Sequence, residues 1–81
     1  MPALQWLDLS GTNVTDKDLE PISSLANLEH LNLTHTYVTD EGLKHLYRLP
    51  NLRRLSLVGC KVTAKGCEEL QKALPRVDIS R

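Results

Sequence analysis

An α/β solenoid of about three stacked units is the fold class this sequence predicts, and three observations predict it. The first is a period of 24: shifting the 81-residue sequence by that amount superposes Leu4 on Leu28 and Leu52, Leu7 on Leu31 and Leu55, Leu9 on Leu33 and Leu57, and Val14 on Val38 and Val62. Self-similarity at a fixed spacing in this range marks a stacked repeat. The second is a change of rhythm within each unit, from the apolar-polar alternation of a strand to apolar residues at helical spacing. The third is the punctuation between them: Gly11, His35 and Gly59 lie in the turns, and Thr15, Thr39 and Thr63 precede each helical run, where a hydroxyl can cap a helix start.

The period sets units at about 4–27, 28–51 and 52–75, with a terminal strand at 76–80, all in one domain. In the first unit, 4–10 reads as a strand with Leu7 and Leu9 inward. Thr12 follows at a position matched by Thr36 and Cys60, where a polar side chain can bond backbone groups freed by the turn. Asp16 and Asp18 come next, suited to the positive end of a helix dipole. Pro21 sits too deep for a regular helix, so this segment is expected to be short and 3₁₀-like. The second unit predicts a strand at 29–33 and a helix from 40 to about 48, with Leu43, Leu46 and Tyr47 on one face. The third predicts a strand at 53–57 and a helix from 64 to about 73, with Cys67, Leu70, Ala73 and Leu74 inward, ended by Pro75. Val77 and Ile79 then alternate with Asp78 in a short last strand.

Formal charge is zero, yet residues 1–41 hold one base against seven acids, a net of −6, and residues 42–81 hold nine bases against three acids, a net of +6. The molecule is therefore expected to be dipolar along its repeat axis. No apolar run approaches a membrane span, and the N-terminus lacks the basic and apolar regions of a signal peptide, so the expectation is a soluble, cytoplasmic chain without membrane contact. In that setting the sequons at Asn13 and Asn32 are chance matches, and Cys60 and Cys67, both on apolar ladder positions, are buried, reduced thiols. Their spacing, without paired histidines, is not that of a zinc site.

Catalysis needs a nucleophile beside a base or paired carboxylates in one pocket. His30, His35 and His45 fall on a strand, a turn and a helix, and no glycine-rich phosphate loop occurs. No enzyme activity, catalytic residue, metal ligand or cofactor is expected. The informative pattern lies on the strands, where outward side chains of successive parallel strands align in columns. These columns are Trp6, His30 and Arg54, then Asp8, Asn32 and Ser56, then Ser10, Thr34 and Val58. A fourth, Gln5, Glu29 and Arg53, lies at the strand entrance and is expected to add an ion pair. Trp and Arg are frequent binding anchors, so the partner-binding candidates are Trp6, Asp8, His30, Asn32, Thr34, Arg54, Ser56 and Val58. The competing reading has Trp6 stack on His30 and, through a cation-π contact with Arg54, merely cover the sheet.

The segments LQWLDLSGTNV, LEHLNLTHTYV and LRRLSLVGCKV resemble the leucine-rich repeat family, whose unit is L-x-x-L-x-L-x-x-N/C-x-L. Thr or Cys at the Asn position, followed by VTD, is similar to the cysteine-containing subtype of F-box-associated and bacterial repeat proteins. The resemblance implies a concave parallel sheet, convex helices, and binding of a protein partner through the concave face. It also admits a substrate-receptor fragment of a ubiquitin ligase. Ala64-Lys65 departs from the pattern of Asp16 and Asp40. Because Met1 to Ala3 align with the tail of a unit, the chain is expected to be a C-terminal fragment or a short repeat protein, self-associating or docking to a preceding domain through residues 4–14 at its uncapped N-terminal edge. A second ligand class, an acidic ligand or nucleic acid on Arg48, Arg53, Arg54, Lys72, Arg76 and Arg81, is opposed by the zero net charge, only three aromatic residues and no nucleic-acid motif.

Overall fold

The computed structural model describes residues 4–81; Met1 to Ala3, matched in sequence to the tail of a unit, lie outside the described residues. Four parallel strands, β1 (Trp6–Asp8), β2 (His30–Asn32), β3 (Arg54–Ser56) and β4 (Asp78–Ser80), form one sheet in the order β1-β2-β3-β4. Helices α1 (Leu19–Ile22), α2 (Asp40–Leu46) and α3 (Ala64–Ala73) return the chain between them. The strand register repeats the 24-residue period: Trp6 pairs with His30, His30 with Arg54, and Arg54 with Asp78.

The strands are shorter than their alternating pattern predicts. Asp8 Oδ1 accepts the Ser10 N–H at 2.9 Å, and Asn32 Oδ1 accepts the Thr34 N–H at 3.0 Å, so the last strand residue in each case folds its own side chain onto the backbone and starts a turn. Inter-strand bonding nevertheless continues beyond the pleat: Leu9 N–H donates to Asn32 O and Gly11 N–H to Thr34 O, both at 2.8 Å. The turns pass through Gly11, His35 and Gly59, all at positive φ. His35 is the one non-glycine of the three, and its imidazole lies where a side chain on Gly59 would have to go.

The core is a stack of leucines: Leu28, Leu31, Leu33, Leu52, Leu55 and Leu57 from the strand side, and Leu19, Leu43, Leu46 and Leu70 from the helices, are buried. Leu7, Leu9 and Val14 are only half-buried, because among the described residues β1 has a neighbouring strand on one side alone. Thr36 is the one buried polar residue among those described, and its hydroxyl donates to Leu33 O at 2.7 Å. Thr12 does the same to Leu9 O at 2.6 Å, as the ladder position predicts. Cys60 uses its thiol on the Leu33 carbonyl at 2.9 Å, but it lies half-buried on an outer rung rather than buried. Cys67 is buried, and loss of hydration pushes its thiol pKa up.

Pro21 has the expected effect: the first return segment is a 3₁₀ turn at Asp16–Asp18 followed by a single helical turn. Helix α2 stops at Leu46, short of residue 48, where the Tyr47 N–H bonds to Lys44 O at 3.3 Å and tightens the end. That tightening leaves Tyr47 exposed, not inward, and Ala73 at the end of α3 is exposed as well. Leu74 takes an extended φ of −128° before Pro75. The predicted ion pair at the strand entrance is absent; among the described residues the ion pair present joins Glu41 and Lys44, at 3.4 Å on the surface of α2.

The helix starts are tied together across rungs. Asp16 accepts the Thr39 N–H at 2.7 Å and the Thr39 hydroxyl at 2.6 Å, and Asp40 accepts the same two groups of Thr63 at 2.9 and 2.6 Å. The Thr63 hydroxyl also accepts the Gly66 N–H at 3.1 Å. These aspartates therefore serve the next rung, beyond the dipole role their position predicts. The Thr63 hydroxyl, then its N–H, hold the Asp40 carboxyl below its ordinary pKa. A lowered folded pKa contributes stability above the unfolded value near 3.9 and loses it as pH falls through the folded one. The stability gap between the wild type and Asp40→Asn, measured by urea unfolding, is expected to be full at neutral pH and to shrink below about pH 4. A gap constant down to pH 2 to 3 would show that the charge on Asp40 contributes nothing.

Candidate functional site

Because side chains alternate along each strand, pointing Leu7, Leu31 and Leu55 inward turns the flanking residues to the concave face. These flanking residues surround an open cavity of about 450 Å³, lined by Trp6, Asp8, His30, Asn32, Arg54 and Ser56 above a floor of Leu7, Leu31 and Leu55. Six of the eight predicted site residues are thus brought together; Thr34 and Val58, one step further along, do not line it. Asp78 and Ser80 of β4 complete the wall. Both were missed as site residues, although they lie 24 positions after Arg54 and Ser56, the period that aligned the other columns.

Trp6 is 68% exposed, and its ring stacks on His30 with centroids 3.9 Å apart and planes 27° from parallel. The cation-π contact with Arg54 is not formed, since His30 on β2 occupies the place between them. Arg54 is exposed and in no ion pair among the described residues, although Asp78 is its register partner. Thr34, of the third column, bridges two residues of the second: its Oγ donates to Asn32 Oδ1 at 2.6 Å and lies 2.7 Å from Ser56 Oγ. With the Thr34 proton so engaged, Ser56 is the donor to Thr34 and keeps both of its lone pairs for other groups. Asn32 Oδ1, which also accepts the Thr34 N–H, is fully engaged, and its amide nitrogen is left to donate outward. Asp8 is held below its ordinary pKa by its hydrogen bonds to Ser10, so it stands on this face as a carboxylate.

A concave parallel sheet with polar and aromatic columns over an open cavity, backed by helices, defines the class: a solenoid scaffold that presents a surface. The chain belongs to the leucine-rich repeat family, whose model matches residues 1–62. Members of that family typically act as non-enzymatic, protein-binding scaffolds. Fourteen chains of solved structures match this one. Among them is a leucine-rich repeat protein of Leptospira interrogans, 25% identical, with a TM-score of 0.69; the match covers 100% of this chain and 28% of that one. The chain thus spans about a quarter of the length of this solved relative. No curated protein matches it significantly. Among the described residues, no helix is long and apolar enough to cross a membrane.

Proposed function

We propose that this chain binds a protein partner through the concave face, with Trp6, His30 and Arg54 as anchors and Asp8, Asn32 and Ser56 as polar supports. Thr34 acts by holding Asn32 and Ser56, and Val58 forms the apolar rim. The observation that carries this reading is Trp6, a large ring left 68% exposed at the mouth of the cavity and propped by His30. An aromatic side chain already ordered by stacking loses little conformational freedom on binding, and such residues are enriched among binding hot spots. The role is binding and not catalysis, and it suits a cytoplasmic scaffold in which Cys60 and Cys67 remain thiols. Reception of a substrate for a ubiquitin ligase is one use such a face would serve.

The test is a display selection against the folded chain, followed by affinity measurements on variants. Trp6→Ala is expected to weaken the selected binders by about 1 kcal/mol or more while the melting temperature stays close to that of the wild type, since the ring packs on His30 outside the core. Glu68→Ala, on the exposed part of α3, is expected to leave affinity unchanged. Binders that ignore Trp6 and Arg54 but respond to Glu68 would move the site to the convex side and overturn the reading.

A further inference from the structure

We infer that the chain carries a second binding surface, at the ends of helices α2 and α3, for an acidic peptide segment that seats one large apolar side chain. The two helices start 24 residues apart and end 27 apart, so α3 overruns α2 by three residues, about 4.5 Å of helix. Beside that overrun lies a notch of about 420 Å³, lined by Tyr47, Pro50 and Leu52 after α2 and by Ala73, Leu74 and Arg76 at and after the end of α3. Tyr47 and Ala73, whose spacing predicts an inward position, both come to the surface here. The joint between α1 and α2 offers no such surface, since Ser23 and Ser24 stand at the positions of Tyr47 and Arg48.

The charge around the notch has one sign. No acidic side chain among the described residues lines it, and Arg76 does. Arg48, Arg53 and Lys72 are the sequence neighbours of Tyr47, Leu52 and Ala73, and all three are exposed. Since the ion pair among the described residues joins Glu41 and Lys44, these four bases are left without a carboxylate. Bases near helix C-termini can serve the carbonyls there, but those carbonyls already have donors. The Gln71 amide nitrogen donates to Leu74 O at 3.2 Å and to Val77 O at 2.8 Å, and the Leu49 N–H donates to Leu46 O at 3.1 Å. The guanidinium of Arg76 therefore keeps its paired N–H groups for an incoming carboxylate, which can take them bidentately. Tyr47, Leu52 and Leu74 supply the apolar contact for a Leu or Phe side chain. Residues 42–81 carry a net charge of +6, which draws an acidic partner to this half and repels a basic one. Nucleic acid would meet the charge but a single aromatic ring, Tyr47, where single strands are held by stacking successive bases.

Fluorescein-labelled synthetic peptides serve as probes, read by anisotropy: a Glu/Asp-rich peptide with a single Leu, the same peptide with Ser in place of Leu, and the same with Lys in place of the acids. The expected result is saturable binding of the first, with affinity about tenfold lower for the Ser and Lys peptides and in Tyr47→Ser and Arg76→Glu. Lys65→Glu changes the net charge equally but lies at the start of α3; at 0.15 M salt, where charges more than about 8 Å apart are screened, it is expected to leave binding unchanged. Circular dichroism checks that the variants are folded, and if one is not, the three peptides on the wild type decide alone. Equal affinity for the Leu and Ser peptides, equal losses in Lys65→Glu and Arg76→Glu, or no binding of any peptide would overturn the inference. Tighter binding of a short single-stranded oligonucleotide, or self-association abolished by Tyr47→Ser, would give the notch to nucleic acid or to a second copy and overturn it as well. Binders selected on the concave face are expected to bind Tyr47→Ser and Arg76→Glu as they bind the wild type, so the two surfaces stand or fall separately.

Discussion

Leu31→Ala is expected to lower the unfolding free energy by about 2 to 5 kcal/mol. Leu31 is 2% exposed and stands in the middle of its column, with Leu7 and Leu55 as register partners on either side. A rung at the end of a stack could relax toward solvent after truncation, but a central one is held by both neighbours and the void persists. The loss therefore includes a cavity contribution as well as the transfer free energy of the missing atoms. Small domains have a total of only about 5 to 15 kcal/mol, so the variant should be partly or wholly unfolded at 37 °C. Leu7→Ala, on the half-buried first rung, should cost distinctly less. Calorimetry or urea unfolding of the two variants checks this, and equal losses would mean that the rungs do not differ in how far they can relax.

Gly66→Ala is expected to destabilise the protein by about 1 to 3 kcal/mol, against the usual effect of this change. Replacing a glycine inside a helix with alanine ordinarily stabilises by up to about 1 kcal/mol. Here a methyl group at residue 66 would fall onto the Asp40 carboxylate, the group that holds Thr63. The carboxylate cannot swing away without releasing the two hydrogen bonds that join the rungs. In an Asp40→Ala background the obstacle is gone, so Gly66→Ala should become neutral or stabilising there. The double-mutant cycle thus has an expected sign change; an unchanged penalty in both backgrounds would place the clash elsewhere. Gly42 stands in the same relation to Asp16. The first rung has Asp18 at the matching position, and its carboxylate accepts the Thr15 N–H at 2.9 Å from within its own turn.

The repeat was legible because it is written in single residues at a fixed interval. Leucine at the inward strand positions implies burial, a 24-residue offset implies strand register, and Pro21 implies a broken first helix; none of these requires knowing what touches what. The outward columns follow from alternation alone, which is why the sequence itself groups Trp6, His30 and Arg54. The same rule applied to β4 would have added Asp78 and Ser80.

What tertiary structure alone decided were contacts whose partners lie on different rungs or compete for one atom. Asp16 and Asp40 look like helix-dipole residues when each unit is read by itself, and become inter-rung ties only when Thr39 and Thr63 are packed 23 residues further on. Strand length was settled by the side chains of Asp8 and Asn32 turning back on their own backbone, a local choice that alternating hydrophobicity does not record. Whether Arg54 stacks on Trp6 or points free depended on His30 occupying the place between them. Periodicity determines which residues share a face, since that needs only backbone geometry. Which of them bond, stack or remain open to a partner is decided by distances of a few ångströms between neighbouring rungs, and those exist only once the stack has formed.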